Sequence, residues 1–491
     1  MRRLSGMDAG FLNLESPLQP MHTMALAILR PARSAGGMPV PVAMDDLRRH
    51  MASRLDELPQ FRARLQWVPL GLNHPVLIED PEFDLDRHLG QATLPAPGGP
   101  DELDRFYASL AGRPLDRRHP LWRLTVVDGL DGGRQGLVLE IHHALMDGDA
   151  TLATLSCIFS GEDDSGEDGR GAAVAWRPER PPSRSRLVAG ALRDLSRALG
   201  HLPDLVARTR RGNAAMKAHR ARCAVSVPAP GRDTPACSLN RANTADRGYA
   251  RASLPLEDVK LVKDVAGATV NDVALAIVGG ALRAYLEDRN DLPARPLVAS
   301  VPVGIEAPDA ARRTSGNRFS RITTSLATDV ADPWERLQAV SAATREAKAH
   351  LDLLGRELMA DWLEVFPPFV VGPLVRRDRR RRLKHPERLD TNVMISNIRG
   401  PAQPWSFGAA LVEEMYVTGP PNNGVGVTFV LWDYGGRLLF GILSFADSVE
   451  APRELAEGLH GSLRELTQIA RQVRLHPIGL SGESTFRATT R

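Results

Sequence analysis

A break in composition near residue 160 divides the chain into two long parts and so restricts the folds open to it. Residues 160–169 are acidic and glycine-rich, and three prolines follow within residues 178–182. Such a stretch cannot bury apolar surface and is typical of a linker or loop. Apolar residues then recur at helical spacing over residues 187–220, before a second proline-containing loop at 226–236. We therefore predict three parts: an N-terminal domain over 1–160, a crossover with helices over 161–236 and a C-terminal domain over 237–491.

Length and composition indicate folded domains and exclude several classes of protein. With 491 residues, of which 43% are hydrophobic, each large part is long enough for a core of its own. The 62 basic and 59 acidic residues leave a net charge of only +3, whereas a protein that coats nucleic acid carries a large basic excess. Three cysteines are too few for a disulfide framework. We expect a cytoplasmic protein with no nucleic-acid partner.

Helix-like and strand-like patterns alternate in both large parts. A continuous apolar run at 137–141 predicts a buried strand, and Gly435-Gly436 between two apolar runs predicts a hairpin turn. The fold class is therefore α/β or α+β, with mixed sheets and flanking helices. The remaining predicted elements are strands at 296–303, 425–432 and 438–445, and helices at 150–159, 270–286 and 451–473.

Two adjacent histidines provide the clearest chemical signal. His142 and His143 end the predicted strand, and Asp147 and Gly148 follow just before the next helix. Histidine is the side chain best suited to move a proton near neutral pH, and a strand end that opens onto a loop holds a base rigidly. Because adjacent strand residues point to opposite faces, only one histidine can readily face a cleft. A purely structural pair and a His-His-Asp metal site are the alternatives that the residues alone leave open.

The sequence around these histidines resembles a known family. Residues 142–148 are similar to the HHxxxDG motif of CoA-dependent acyltransferases. The surroundings narrow the resemblance to the bacterial wax ester synthase/diacylglycerol acyltransferase family. The matching elements occur in order from about residue 4 to about residue 470 and include residues 4–12, Glu15, Pro20-Met21-His22, Pro114-Leu115-Asp116, Pro120-Leu121-Trp122, Gly129-Leu130, Ser238-Leu239-Asn240, Asn271-Asp272, Val301-Pro302-Val303, Gly316-Asn317 and residues 395–401.

This resemblance implies a fold and a reaction. The family fold has two subdomains, each similar to chloramphenicol acetyltransferase, which face each other across an active-site tunnel. The implied reaction moves a long-chain fatty acyl group from acyl-CoA to diacylglycerol, to a long-chain alcohol, or to both. Acyl-CoA is then a co-substrate, and neither a cofactor nor a metal is expected. Two alternatives stay open: a related ester-forming enzyme that takes acyl groups from a carrier protein, and an inactive relative that binds lipid or acyl-CoA.

The resemblance also assigns roles within the histidine motif. His143 is expected to be the general base that takes the proton of the acceptor hydroxyl. His142, Asp147 and Gly148 complete the expected catalytic motif, with His142 either in support or packed away and Asp147 more architectural than proton-carrying. Gly148 is expected to supply a backbone angle that other residues resist.

Four residues beyond the motif are candidates for binding substrate or the oxyanion. The reaction needs a donor for the developing oxyanion. Asn271, beside Asp272, is one candidate, although both residues also suit the first turn of a helix. Ser396 and Asn397 resemble a loop that closes the tunnel from the second subdomain, with a simple strand-ending turn as the alternative.

An arginine-rich run at residues 376–384 is the strongest charge feature and follows an apolar, proline-containing segment at 362–375. Three interpretations are open: a solvated helix face, a site that attracts the phosphates of CoA, and a surface that binds anionic lipid headgroups. In the last case, each basic residue near the membrane contributes about 1 kcal/mol to binding. The sequence contains no run of about 20 apolar residues, the length that a membrane span needs, and no signal-peptide pattern. We predict peripheral association with a membrane or lipid-droplet surface through residues 376–384.

Overall fold

The computed structural model describes residues 1–159, 178–223, 225–229, 231–241, 243–306, 311–384, 390–422 and 424–475. The acidic stretch predicted as a linker lies outside these residues. The described strands, numbered in chain order, are β1 (Arg2–Arg3), β2 (His22–Arg30), β3 (Ala32–Arg33), β4 (Pro39–Val40), β5 (Ala63–Gln66), β6 (Val76–Glu79), β7 (Leu89–Thr93), β8 (Trp122–Asp128), β9 (Gln135–His142), β10 (Arg247–Pro255), β11 (Val298–Gly304), β12 (Phe319–Ser325), β13 (Val393–Ile398), β14 (Ser406–Phe407), β15 (Ala410–Thr418), β16 (Val427–Tyr434) and β17 (Arg437–Phe445).

Helices alternate with these strands, as the sequence pattern predicts. The described α-helices are α1 (Gly6–Leu14), α2 (Met44–Arg54), α3 (Pro100–Ala111), α4 (Gly148–Phe159), α5 (Arg184–Arg220), α6 (Leu256–Ala266), α7 (Val270–Glu287), α8 (Pro333–Leu354), α9 (Leu358–Val365), α10 (Pro368–Lys384) and α11 (Pro452–Leu475). Every strand and helix predicted from the sequence is present within about three residues of its expected bounds. The predicted α/β class with mixed sheets is confirmed.

The first large sheet has the strand order β14-β15-β2-β9-β8-β7. Its neighbouring strands are antiparallel, except that β7 and β8 are parallel. The two central strands, β2 and β9, are buried along nearly their whole length, which explains their near-continuous apolar sequence. In their register, His22 lies opposite His142, so two histidines meet at one end of the sheet.

The second large sheet has the strand order β10-β17-β16-β13-β11-β12 and mixes parallel with antiparallel pairs. β13 runs parallel to both β11 and β16, and the other pairs are antiparallel. The hairpin between β16 and β17 turns at Gly435 and Gly436, whose φ angles of 55° and 76° favour glycine.

Residues 406–418 belong to the C-terminal part of the sequence, but they form two strands of the first sheet. β15 pairs with β2 in antiparallel register, from Leu411 opposite Arg30 to Thr418 opposite Met24. β14 and β15 thus lie within the part predicted as the C-terminal domain, 237–491, and yet belong to the first sheet. Local sequence patterns can predict a strand but not the sheet that it joins. The pairing of β15 with β2 therefore could not be predicted from the sequence.

The second sheet separates two hydrophobic cores. On its outer face, Phe429 and Leu431 of β16 pack with the helices α6, α7, α8 and α11. On its inner face, Val430 and Trp432 belong to the core shared with the first sheet. The alternation of side chains along β16 thus distinguishes an outer, helix-covered side from an inner side that faces the first sheet.

The crossover helix α5 has 37 residues and continues through Pro203. The Ser183 hydroxyl caps it by accepting a hydrogen bond from the N–H of Arg186 at 3.2 Å. α5 packs against α8 and α9, and α9 and α10 pack against α1. Among the described helices, none is by itself long and apolar enough to cross a membrane. Two pairs reach that threshold only jointly, α6 with α7 and α9 with α10, at bends of 105° and 111°.

Candidate active site

The two histidines lie where β9 ends, in the space between the two large sheets. His142 is the last residue of β9, and the N–H of His143 donates to the carbonyl of Met21, beside β2, at 2.7 Å. The N–H of Ala144 then donates to Nδ1 of His142 at 3.0 Å. These backbone contacts fix the start of the loop that leads to α4, so the direction of the His143 side chain is set by the sheet.

The ring of His143 is enclosed by protein on one face. It stacks on Phe11 of α1, with ring centroids 4.0 Å apart and planes inclined by 9°. The backbone carbonyl of His143 accepts a hydrogen bond from Nδ2 of Asn317 at 2.8 Å. Oδ1 of Asp8 in turn accepts from the N–H and from Nδ2 of Asn317, at 2.9 and 2.8 Å. Burial lowers the pKa of His143 because it penalises the imidazolium. The ring is therefore neutral at neutral pH and able to accept a proton.

His142 points to the other side, into a buried polar cluster with Glu15 and His22. Because Nδ1 accepts from Ala144, a neutral His142 carries its proton on Nε2, which lies 3.3 Å from Oε1 of Glu15. Burial opposes ionisation of Glu15, but the hydrogen bond and charge of His142 and the charge of Arg117 lower its pKa to about 2. Only His143 lines a cavity, which agrees with the expectation that one histidine of the pair faces a cleft.

Asp147 joins the histidine loop to the second half of the chain. Its Oδ2 accepts from Nη2 of Arg313 at 2.5 Å and from the N–H of Arg318 at 2.7 Å, while Oδ1 accepts from the N–H of Ala150 at 3.1 Å. A parallel bridge between Met146 and Gly316 reinforces the contact. The structure thus places Asp147 in the architectural role expected from the sequence.

Gly148 begins α4 and lines the cavity beside His143. Its φ angle lies outside the left-handed region. The expectation that Gly148 supplies a backbone angle that other residues resist is therefore wrong. Close approach is its contribution, since a Cβ at this position would lie 3.1 Å from Cγ1 of Ile398 on β13.

Three adjoining chambers run between the two sheets. The central chamber, of about 240 Å³, is bounded by Phe11, His143 and Val417 and is mostly apolar. It shares Leu14, Ser300, Arg321, Met394 and Asn422 with an outer chamber of about 360 Å³, which also reaches Leu374, Arg379 and Arg382 on α10. It shares His143, Gly148, Pro302, Phe319, Ser396 and Ile398 with a rear chamber of about 100 Å³, which also reaches Asp147 and Arg318. His143 therefore lies at the junction of the central and rear chambers.

Ser396 and Asn397 occupy β13 rather than a loop, and the strand divides their roles. Ser396 lines both chambers that meet at His143. Asn397 is exposed and lines only the rear chamber. The alternation of side chains along a strand explains the difference. Ser396 is thus the better placed of the two expected binding residues.

Asn271 and Asp272 are not at this site, and their predicted role is corrected. They lie in the first turn of α7, on the helix-covered side of the second sheet, whereas the chambers lie on its inner side. Asp272 forms a capping box with Thr269, whose N–H and Oγ1 donate to Oδ2 of Asp272 at 3.0 and 2.8 Å. The Ser341 hydroxyl on α8 donates to the same oxygen at 3.3 Å. The helix-cap alternative therefore holds.

Three residues at the site were missed as functional candidates. Phe11 and Asn317 lie within segments that matched the family pattern, but nothing in a sequence shows that they contact His143. Arg313 lies in a polar loop with no pattern of its own. Their roles depend on contacts between residues more than 130 positions apart, as between Phe11 and His143, and such contacts leave no local signal.

Comparison with protein families places the whole site within one family. Residues 4–274 match the wax ester synthase/diacylglycerol acyltransferase catalytic domain, and residues 315–467 match the C-terminal domain of the same family. Two Mycobacterium tuberculosis proteins, each named as a diacylglycerol O-acyltransferase, are 34% identical to this chain. One aligns over 96% of this chain and 98% of its own, and the other over 96% and 97%.

Solved structures show the same architecture. The wax ester synthase/diacylglycerol acyltransferase from Marinobacter aquaeolei VT8 is 26% identical, covers 96% of this chain and 100% of its own, and superposes with a TM-score of 0.66. The first condensation domain of the CDA synthetase, at 17% identity and a TM-score of 0.55, covers 96% of this chain and 95% of its own, and shares the fold. The expected pair of sheet-rich, acetyltransferase-like subdomains is confirmed.

Proposed function

Because this chain belongs to the wax ester synthase/diacylglycerol acyltransferase family, we propose that it transfers a long-chain acyl group from acyl-CoA to the hydroxyl of diacylglycerol or of a long-chain alcohol. One observation carries the proposal: a neutral, buried His143 lies where an apolar chamber meets a second chamber. Two substrates entering from opposite sides would meet at this base. The names of the two mycobacterial relatives support diacylglycerol as one acceptor.

His143 acts as the general base in this proposal. Its Nδ1 is buried within the protein, which leaves Nε2 for the substrate. Nε2 takes the proton of the acceptor hydroxyl as the oxygen attacks the thioester carbonyl, and the C–O bond of the ester forms. When the C–S bond breaks, the imidazolium returns the proton to the leaving thiolate, which departs as CoA thiol. The thioester is already activated, so the proposal needs no covalent acyl-enzyme.

The Ser396 hydroxyl is the proposed donor to the oxyanion that develops on the thioester oxygen. It lines both chambers at His143, whereas Asn271 lies on the other side of the second sheet. Removing one oxyanion donor costs about 10²–10³ in kcat in well-studied acyl transfer. The Ser396→Ala variant is expected to lose kcat with little change in KM, while Asn397→Ala, its neighbour on the strand, serves as the matched control.

Turnover assays on the purified full chain test the proposed reaction. Palmitoyl-CoA is offered with a diacylglycerol or with hexadecanol, and ester and free CoA are measured. We expect ester formation with at least one acceptor, and a fall of about 10²–10⁴-fold in His143→Ala, the usual contribution of general-base catalysis. Unchanged activity in His143→Ala would refute the base. If acyl carrier protein supplies the acyl group and palmitoyl-CoA does not, the proposed donor is wrong.

We also propose that α9 and α10 hold the enzyme at an anionic lipid surface. Phe366, Phe369 and Leu374 are 40%, 51% and 58% exposed and lie within nine residues of one another. Exposed arginines follow on α10, at Arg376, Arg377, Arg380 and Arg381. Apolar anchors beside basic residues are typical of interfacial helices. Because α10 also lines the outer chamber, lipid substrates could pass from the surface toward His143.

Vesicle sedimentation tests this attachment and separates it from binding of CoA phosphates. A variant with Arg376, Arg377, Arg380 and Arg381 changed to Gln is compared with one in which Arg30, Arg105, Arg118 and Arg437, all outside α10, are changed to Gln. We expect only the α10 variant to lose binding to vesicles that contain phosphatidylglycerol, at physiological salt. Binding retained by the α10 variant would refute the attachment. A raised KM for acyl-CoA in detergent, with vesicle binding intact, would assign the arginines to CoA instead.

A further inference from the structure

A cluster of three potential metal ligands, with a second histidine beside it, joins the end of the crossover helix to α8. His219 lies in the last turn of α5, and Cys223 follows four residues later. Glu346 and His350 lie one helical turn apart on α8, so their side chains share a face. The ligand atoms of His219, Cys223 and Glu346 all lie within 4.8 Å of one another. None of the four lines the chambers around His143.

Both imidazoles converge on one carboxylate oxygen. Nε2 of His219 lies 2.7 Å, and Nε2 of His350 lies 3.1 Å, from the same Oε1 of Glu346. Glu346 also hydrogen-bonds Cys223, and the side chains of Glu346 and His350 are only 11% and 6% exposed. The rings of the two histidines face each other edge-on, with centroids 5.7 Å apart. The side chains thus bring nitrogen, sulfur and oxygen atoms, the ligand types that zinc accepts, to one point.

We propose that His219, Cys223, Glu346 and His350 form a binding site for Zn²⁺. Two imidazoles, a thiolate and a carboxylate are ligands that zinc accepts, and four is the number that a structural zinc site uses. Tetrahedral zinc with bonds of about 2.0–2.3 Å places its ligand atoms roughly 3.3–3.8 Å apart. Among His219, Cys223 and Glu346 the separations of 2.7 Å and up to 4.8 Å bracket that range. His350, whose Nε2 lies 3.1 Å from Oε1 of Glu346, becomes the fourth ligand by rotation of its side chain.

Charge and the choice of ligands also favour zinc. A thiolate at Cys223 and the carboxylate of Glu346 balance the two positive charges of the ion, while both histidines bind as neutral imidazoles. Metal binding therefore requires loss of the thiol proton and of any imidazolium proton. The thiolate and the imidazoles disfavour Mg²⁺ and Ca²⁺, which prefer oxygen ligands.

The position of the site indicates a structural role. α5 lies in the crossover that follows the strands of the first sheet, and it packs against α8, which belongs to the helical cover of the second sheet. An ion bound at this point would clamp the crossover to the second half of the chain. Since the four ligands lie outside the chambers, the ion would stabilise the arrangement without taking part in acyl transfer.

Metal analysis of the intact chain tests the proposal. The protein is purified through a tag without histidine, incubated with Zn²⁺ and desalted, and its metal content is measured. We expect about one zinc per chain, the complement of one four-ligand site. In the wild type, Co²⁺ in place of zinc should give the thiolate-to-metal absorption and visible bands of tetrahedral cobalt. Thermal unfolding should shift to higher temperature with zinc and back with chelator.

Variants identify the ligands. Cys223→Ser should lose the thiolate-to-cobalt band, and His350→Gln should lose at least tenfold in zinc affinity, a typical cost of weakening a metal site. Cys157→Ser and His143→Ala alter a cysteine and a histidine elsewhere and should keep the full metal content. Circular dichroism reports whether each variant folds. Wild-type protein without bound zinc, cobalt spectra without a thiolate band, or undiminished binding in both ligand variants would overturn the site and leave a plain His–Glu–His contact.

Discussion

Asp147 and Arg313 form an ion pair of 2.5 Å that links the histidine loop of the first sheet to the strand entering the second. The side chains are only 6% and 17% exposed, so solvent screens the pair weakly. Arg313 also contacts Glu306, with Nε 2.9 Å from Oε2. One guanidinium thus contacts two carboxylates where the histidine loop meets the second half of the chain.

The arginine should matter more to stability than either carboxylate. Arg313→Met leaves Asp147 without its cationic partner and Glu306 with only the exposed Arg318, 3.5 Å away. We therefore expect a loss of about 3–5 kcal/mol in the free energy of unfolding, as for other broken buried pairs. Asp147→Asn leaves Arg313 paired with Glu306 and should cost less. Urea unfolding followed by two probes measures both. Arg48→Met, which breaks an exposed pair, is the control and should leave the midpoint of urea unfolding unchanged. A midpoint that is likewise unchanged in Arg313→Met would contradict the expected loss of stability.

The pH profile of the acyl transfer should show a base with a depressed pKa. His143 works only when neutral, so activity is full above its pKa and falls as the pH drops through that value. Burial lowers this pKa, and the acidic limb of kcat/KM should lie below the usual histidine value of about 6.5. An acidic limb at or above that pH would show that His143 is not the titrating base.

The stack of Phe11 on His143 should influence catalysis more than stability. Aromatic stacks contribute about 0.5–1.5 kcal/mol, so Phe11→Leu is expected to lower kcat by up to about tenfold through looser positioning of the ring. Steady-state kinetics measures the split between kcat and KM. Phe83→Leu changes a different phenylalanine–histidine stack, with His88, outside the chambers, and should leave kcat unchanged. Equal rates in the two variants would remove the positioning role.

Acid should destabilise the fold through His22. Burial lowers its pKa to about 3, with Arg247 and, once it is protonated, His142 adding to the effect and the charge of Glu15 opposing it. A histidine in the unfolded chain has a pKa of about 6.5. Below that pH the unfolded state therefore binds a proton that the folded state does not bind. Stability is therefore full above about pH 6.5 and declines as the pH falls toward about 3. Urea unfolding across this range measures the decline, and a His22→Gln variant with the same slope would exclude His22 as its source.

The carboxylate of Asp272 should contribute to stability and not to the reaction. Asp272→Ala removes the capping box of α7 and the contact with Ser341, and caps of this kind contribute about 0.5–2 kcal/mol. We expect a loss of that size in unfolding free energy. Rates normalised to the folded fraction should be unchanged. A large loss of kcat in a fully folded variant would restore the active-site role that the sequence suggested.

Local periodicity predicted the strands and helices well because each is decided by neighbouring residues. The buried strand ending at His142, the hairpin at Gly435-Gly436 and the long helix α7 all follow from short patterns. The destination of β15 could not be predicted in this way. Its pairing with β2 depends on the edge left open by the rest of the first sheet, almost 400 residues earlier in the chain.

The same distinction between local and distant determinants applies to the residues of the site. His143 was predicted because residue type, strand end and motif agree, and Asp147 was expected in the architectural role that its contacts support. Asn271 and Asp272 misled because an Asn-Asp pair at a helix start suits a cap as well as an active site, and only the sheet topology separates the two. Phe11 and Asn317 show their roles only once distant parts of the chain are in contact.

The exchange of β15 into the first sheet also sets an order of events during synthesis. Until residue 418 has left the ribosome, β2 has no partner on one side, although eight of its nine residues are buried in the finished protein. At about 5–20 residues per second, the roughly 390 residues between β2 and the end of β15 take about 20–80 s to make. For that interval the nascent chain displays an apolar strand edge, the kind of surface that pairs with other chains. The first sheet thus waits with one apolar edge open for a strand that is made almost 400 residues later.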